Sequence, residues 1–336
     1  MRSSTSMFSF LLISMILLAI TSMVLHSTCM AHPPPLRKGF YSASCPDLER
    51  IVLRVMRDAV VRNPRNAAYI LRLFFHDCFV QGCDGSVLLD DVLGLPGEKG
   101  AFPNKNFAEA FLLVDAIKRE VEHVCPAAVS CADILALASR DAVVLTGGPH
   151  WEVALGRRDA VVASLKLANI DIPTASYNLS TLISIFRSKG LSVEDMVALS
   201  GAHTIGFARC FNYKERLYNQ SGTLKPDPNL NVFVLRERMM VCPPIGGDGR
   251  TYPLDRTPFV FDTSYYKDLI RRSAVLYSDQ VLESVALGPG MPLVNWFAGD
   301  ARLFFERFSE AMTKMGSINP LTGFEGEIRR NCRLRN

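Results

Sequence analysis

Its cysteines constrain this chain more than any other feature. The 336 residues hold nine of them, a usage that points to an oxidising compartment where thiols are joined in pairs. One, Cys29, lies in an N-terminal segment with the marks of a secretory leader. Arg2 supplies the positive start, Phe8 to Ile20 the apolar stretch, and Cys29-Met30-Ala31 a small-x-small cleavage site. Ser9, Ser14 and Ser22 interrupt that stretch, and it is short of the ~20 apolar residues a bilayer crossing needs. Residues 1–31 are therefore expected to be removed as a signal peptide, leaving 32–336 as the functional domain. Removal of Cys29 leaves an even set, Cys45, Cys78, Cys83, Cys125, Cys131, Cys210, Cys242 and Cys332. These suffice for four disulfides, and spacing alone does not choose among their pairings. No second long apolar segment, lipidation motif or ER-retention signal follows. The expected product is exported, with no membrane partner after cleavage.

A hydrophobic fraction of 49% against 21% charged residues excludes intrinsic disorder. The net charge of +4 is spread along the chain without a Lys/Arg block, so no nucleic-acid partner is expected. Apolar spacing of three to four residues predicts helices over 47–62 (Ile51, Val52, Val55, Met56, Val60) and over 107–124 (Phe107, Phe111, Val114, Ile117, Val121). Ser130-x-x-Asp133 opens an apolar helix that stops at Gly147-Gly148, and Ser192-x-x-Asp195 opens one running toward Gly201-Ala202-His203. Asp300 precedes a last long helix ended by Gly316. Strand signals are few, so the chain reads as mostly α, with 219–258 an irregular connection. Asn178-Leu179-Ser180 and Asn219-Gln220-Ser221 have the pattern of glycosylation acceptors.

The most informative segment is Leu71-Arg72-Leu73-Phe74-Phe75-His76-Asp77-Cys78-Phe79. Four residues apart, Arg72 and His76 share one face of a helix. The pair suits a site where a base takes a proton beside a fixed cation that stabilises developing negative charge. Taken alone, it equally describes a partly buried histidine with an arginine in a salt bridge. Cys78 and Cys83 bracket a short loop in which Asp77, Asp84 and Ser86 offer hard oxygen ligands. With backbone carbonyls, that is the chemistry of a Ca²⁺ site.

The run Arg72-x-x-Phe75-His76-Asp77-Cys78-Phe79-Val80-x-Gly82-Cys83-Asp84-Gly85-Ser86 resembles the distal signature of class III, secretory plant haem peroxidases. Val129-Ser130-Cys131-Ala132-Asp133, Gly147-Gly148-Pro149-x-Trp151 and Leu155-Gly156-Arg157-Arg158-Asp159 match the family in order. Leu199-Ser200-Gly201-Ala202-His203-Thr204-Ile205-Gly206, Arg216-Leu217-Tyr218-Asn219, Ser278-Asp279-Gln280 and Asn331-Cys332 follow. The likeness runs from Phe40 to the C-terminus.

The resemblance implies an all-α fold holding one haem b per chain between a distal and a proximal helical half, with two Ca²⁺ ions. By similarity, His76 is the distal base, Arg72 its charge stabiliser, Phe75 a screen over the iron and Asn104 the acceptor that orients His76. His203 is the axial iron ligand and Asp279 the carboxylate behind it. Pro173 lies at the substrate side of the haem edge, and Asp133 with Arg157 forms a structural ion pair. The distal calcium takes Asp77, Val80, Gly82, Asp84 and Ser86; the proximal one takes Thr204, Asp255, Thr257, Val260 and Asp262. The disulfides pair as Cys45–Cys125, Cys78–Cys83, Cys131–Cys332 and Cys210–Cys242. The implied partners are H₂O₂ and small phenolic donors, oxidised one electron at a time by a monomer in the extracellular space or cell wall.

One departure stands out. The family's proximal calcium loop reads Asp-x-x-Thr-Pro, whereas here Asp255 stands only two residues before Thr257. In an extended segment one residue moves the chain ~3.3 Å and turns the side chain to the other face. Either the loop bulges so that Asp255 still ligates, or Leu254 occupies that position and the site loses a carboxylate. Two other function classes bear comparison. A secreted hydrolase lacks both G-x-S-x-G and H-E-x-x-H here. A non-catalytic, calcium-stabilised protein that binds haem or wall polymer would not need His76, Arg72 and His203 together.

Overall fold

A computed structural model describes residues 35–92, 94–105, 108–285 and 292–336. The expected signal peptide lies outside the described residues, as does Phe107. Leu36–Asn336 forms one unit. The described residues hold thirteen α-helices and one two-stranded sheet, the mostly helical class expected from the spacing of apolar residues.

Four helices make the first half: α1 (Leu48–Arg62), α2 (Arg65–Phe79), α3 (Ala108–Val124) and α4 (Cys131–Leu145). Ser130 caps α4 by accepting from the Asp133 N–H at 3.1 Å. Nearly every residue of α4 from Cys131 to Val143 is buried, and α1, α2 and α3 all pack against it. A helix apolar around its whole circumference has to lie inside the core. Of the polar groups it carries, Asp133 accepts from Arg157 Nη1 at 2.8 Å, from Tyr41 at 2.8 Å and from the Gly156 N–H at 2.7 Å. The second half continues with α5 (Leu165–Asp171), α6 (Leu179–Ser188) and α7 (Val193–Ser200), where Ser192 and Asp195 form the expected capping box.

Helix α7 stops at Ser200, and Gly201–Thr204 tightens into a 3₁₀ turn. A Cβ at Gly201 would stand 2.3 Å from the Tyr266 hydroxyl and 2.6 Å from the Phe304 ring, so only glycine admits those rings here. Strand β1 (Phe207–Arg209) follows and pairs antiparallel with β2 (Thr251–Pro253), Ala208 opposite Tyr252. Between them lie α8 (Cys210–Tyr218) and α9 (Val232–Val241). The expected irregular connection over 219–258 is thus corrected, since α9 and β2 both fall within it. Helix α9 leaves Val232, Phe233 and Met240 exposed while burying Arg238, so it has no apolar stripe for spacing to reveal. The chain ends with α10 (Ser264–Ile270), α11 (Tyr277–Gln280), α12 (Leu293–Gly299) and α13 (Ala301–Met315), the last capped by Asp300 and packed on α7.

Four disulfides tie these parts together: Cys45–Cys125, Cys78–Cys83, Cys131–Cys332 and Cys210–Cys242. All four match the pairing implied by the resemblance.

Candidate active site

On α2, Arg72 and His76 meet as their spacing requires, with Arg72 Nε donating to His76 Nε2 at 3.1 Å. A guanidinium can only donate, so Nε2 is the acceptor and Nδ1 carries the ring proton. Nδ1 lies 2.5 Å from Asn104 Oδ1. Asn104 sits in a 3₁₀ turn, Phe102–Asn104, and is itself fixed by donating Nδ2–H to the Glu98 carbonyl at 2.9 Å. The tautomer of His76 is therefore held from both ends. Burial pushes its pKa well below the ordinary histidine range, the Arg72 charge adds to that, and the Asn104 bond opposes it. The imidazole is neutral at physiological pH. Phe75 sets its ring edge-on to His76 at 5.3 Å.

Arg72 keeps accessible surface, yet desolvation by the surrounding protein, with the nearby Arg209 charge, lowers its pKa to about 10. Segment 206–211, just after His203, lines up against α2. A Cβ at Gly206 would stand 2.8 Å from the Ala68 Cβ, the Arg65 guanidinium lies 3.8 Å from the Phe207 ring centre, and Phe102 meets Phe211 at 5.6 Å. The chain thus brings the His76 helix and the His203 segment side by side. Pro173 is half-buried between α5 and α6; its neighbour Ile172 packs in a cluster that includes Phe75.

His203 lies in the 3₁₀ turn after α7, with Nδ1 2.9 Å from Asp279 Oδ1. A carboxylate only accepts, so Nδ1 bears a proton, which leaves Nε2 as the ring nitrogen that can serve a metal. The Tyr265 hydroxyl donates to the same Asp279 oxygen at 3.1 Å. Arg216, ion-paired to Asp227 at 2.8 Å, holds the Ala274 and Leu276 carbonyls just before α11 and so fixes where Asp279 stands.

The two oxygen-rich loops differ. In the Cys78–Cys83 loop, Asp77 Oδ2 accepts from the Gly85 N–H at 3.0 Å, but buried Asp77 Oδ1 and Ser86 Oγ have no hydrogen-bond partner. Nor has Glu98 Oε2. Burial, reinforced by the Asp84 charge, pushes the Asp77 carboxyl well up. Burial likewise raises Asp84 to about 6 and Glu98 to about 8. Val80 and Gly82 shape the turn between the carboxylates, the Gly82 N–H donating to the Val80 carbonyl at 2.7 Å. In the second loop the chain bends at Leu254–Arg256. Leu254 packs toward the cluster under the Cys210–Cys242 bridge, and Asp255 turns inward to accept from Thr204 Oγ1 at 2.7 Å. Asp255 also accepts from the Thr257 N–H at 2.8 Å, and Asp262 lies 3.3 Å from Thr204 Oγ1. Val260 follows in the turn with its side chain outward. Among the described residues, no group of three or more His, Cys, Asp or Glu side chains forms a metal cage. Each loop offers two carboxylates and must complete any ligand set with hydroxyls and carbonyls.

Asn178 caps α6 through Oδ1, accepting from the Thr181 N–H at 3.0 Å, and is exposed; Asn219 Oδ1 accepts from the Leu224 N–H at 2.8 Å. Sequence reasoning missed Glu98 and Tyr265. Glu98 stands shortly before Asn104 in the chain, but nothing local marks Tyr265.

Residues 52–295 match the family model described as Peroxidase. The chain is 49% identical over 298 residues to Peroxidase 9 of Arabidopsis thaliana, covering 88% of this chain and 86% of that one. It is 50% identical over 296 residues to Peroxidase 49 of the same plant, covering 88% and 89%. It is 48% identical over 300 residues to Peroxidase 4 of Vitis vinifera, covering 88% and 91%.

Proposed function

The chain belongs to the class III family of plant peroxidases and is a peroxidase; on that premise we propose that His76 is its proton-transfer base, Arg72 its charge stabiliser and His203 its haem ligand. The donor set fits haem. An imidazole whose Nδ1–H is held by a carboxylate, with Nε2 left to ligate, is an axial-ligand arrangement. When bound, haem supplies the iron that takes up peroxide and the electrons that split its O–O bond.

The protein's share is proton and charge handling. His76 Nε2 would accept a proton from one oxygen of H₂O₂ and return it to the other, which would leave as water. Asn104 accepts from Nδ1–H and, with Arg72 donating to Nε2, sets Nε2 as the atom that takes the proton. Arg72 Nε, 3.1 Å from that atom, holds positive charge where the departing oxygen becomes negative. Phe75 limits access beside His76, leaving room for peroxide but not for bulky donors. Phenolic donors are the substrate class we assign, meeting the site on the Pro173 side and losing one electron each.

The Cys78–Cys83 loop fits Ca²⁺, because two buried partnerless oxygens beside carboxyls raised by burial are what a hard cation would satisfy. Asp77, Asp84 and Ser86, with the Val80 and Gly82 carbonyls, would hold it. Thr204, Asp255, Thr257, Val260 and Asp262 would hold a second ion. Residues 1–31 act as a signal peptide, 32–336 as the haem domain, and Asn178 and Asn219 as glycan acceptors; the destination is the extracellular space. No helix among the described residues is long and apolar enough to cross a membrane.

The observation that carries the reading is His76 held neutral between Arg72 and Asn104. A visible spectrum of the haem-loaded protein before and after H₂O₂, and again after a phenol, tests it. His76→Leu should keep the haem and slow the peroxide-driven change by about 10²–10⁴-fold. Near-wild-type reactivity in a haem-loaded variant would sink the assignment.

A further inference from the structure

Asp279 Oδ1 accepts two hydrogen bonds, one from His203 Nδ1 at 2.9 Å and one from the Tyr265 hydroxyl at 3.1 Å. Both Tyr265 and Asp279 are buried, 2% and 3% exposed. Water therefore does not compete, and the charge on this oxygen is divided between the two donors. Tyr265 reaches it from the first turn of α10, its ring edge-on to Tyr266 at 5.0 Å and to the His203 ring at 6.2 Å. Packing, rather than the hydroxyl, fixes the ring.

We infer that Tyr265 is a positioning residue that limits how much negative charge Asp279 lends to the His203 imidazole. The inference rests on His203 being the iron ligand. A hydrogen bond given to a carboxylate stabilises its charged form and makes it a weaker acceptor toward any other donor. The pull of Asp279 on the Nδ1 proton is what makes the imidazole electron-rich, and such outer hydrogen bonds are among the protein's main controls over a haem potential. A phenol is a stronger donor than a neutral imidazole N–H, so Tyr265 takes a substantial part of the charge on Oδ1. The device is a brake. With full charge, Asp279 would favour ferric iron more strongly and bind the ligand more tightly to it. With the charge shared, the proximal side is poised between a plain imidazole and an imidazolate.

Tyr265→Phe keeps the ring and removes only the donor. In the haem-loaded enzyme the ferric/ferrous midpoint should fall, by up to about tenfold in the equilibrium or about 59 mV for one electron. The iron–imidazole stretching frequency of the ferrous form, read by resonance Raman, should rise. A role in merely holding Asp279 in place predicts the reverse signs, because a loosened carboxylate pulls less. A midpoint that stays or rises therefore overturns the inference. Site-specific 3-fluorotyrosine at position 265 tests it where the Phe variant folds poorly. That phenol has nearly the same shape but donates more strongly, so the midpoint should rise, and a fall overturns the inference. His203→Ala separates the two levels. An iron–imidazole vibration that survives in it removes the ligation reading, whereas its loss there, with an unmoved midpoint in Tyr265→Phe, removes the Tyr265 inference alone.

Discussion

Replacing Asn104 with Ala removes the acceptor at His76 Nδ1 and leaves the base itself in place, which makes it a graded test of the distal geometry. The bond lost is neutral donor to neutral acceptor, 2.5 Å between Nδ1 and Oδ1, in a buried site. Such a bond is worth about 0.5–1.5 kcal/mol net, and about 1.4 kcal/mol is tenfold in rate. The tautomer is not lost with it, because Arg72 Nε still donates to Nε2 and so keeps the lone pair there. The expected cost is therefore about two- to tenfold in the second-order reaction with H₂O₂, one order or more short of His76→Leu. The pH profile supplies a second reading. Burial lowers the His76 pKa, the Arg72 charge lowers it further, and the Asn104 bond alone raises it. Without Asn104 the acid limb, already below the usual histidine value of about 6.5, should move to still lower pH. Stopped-flow absorbance of the haem band under excess peroxide measures both quantities. A loss as large as that of His76→Leu would show that Asn104 does more than accept one bond. An acid limb moving upward would refute the assignment of Nδ1 as donor.

Further outcomes follow from the same geometry. Asp255 reaches Thr204 only through the bend at Leu254–Arg256, so the proximal ion should be the weaker of the two, and a chelator should remove calcium in two steps. The first step should change the haem spectrum through Thr204, next to His203, and simultaneous release of both ions would contradict it. Asp133→Ala leaves the Arg157 guanidinium buried without its carboxylate and should cost about 3–5 kcal/mol in denaturant unfolding; a cost under about 1 kcal/mol would show that the Gly316 and Ala154 carbonyls, to which Arg157 also donates, suffice. The Cys131–Cys332 bridge spans 201 residues and the Cys78–Cys83 bridge only 5. The loop-entropy model gives about 5 and about 2 kcal/mol for them, and paired Ser variants unfolded side by side would expose a reversed order.

The distal site was legible because its chemistry is local. Arg72 and His76 lie one helical turn apart and Asp77 to Ser86 within one loop, so spacing brings these together, whereas Asn104 came only from the resemblance, which also decided Arg72 and His76 against a plain salt bridge. Helix ends were equally readable where a cap announces them, as Ser130, Ser192 and Asp300 do. The proximal side is different in kind. His203, Tyr265 and Asp279 come from three segments, the first and last 76 residues apart, and they meet only because α7, α10 and α11 converge. A residue such as Tyr265, apolar in its ring and polar at one atom, looks like core material until the carboxylate opposite it is known. The register of Asp255 was legible only as two alternatives, because residue counting cannot show whether the chain stays extended. Strand β2 ends at Pro253 and the Leu254–Arg256 bend then turns Asp255 toward Thr204, the bulged alternative. Helix α9 escaped because its cap, Asn231, precedes residues with no buried stripe, and because the Arg238 side chain at its centre bonds the carbonyls of Ser273 and Ala274. That contact shows why α9 is there at all. With Arg216 it grips the segment that leads into α11, so the least predictable helix of the chain helps to set the place of the carboxylate on which His203 depends.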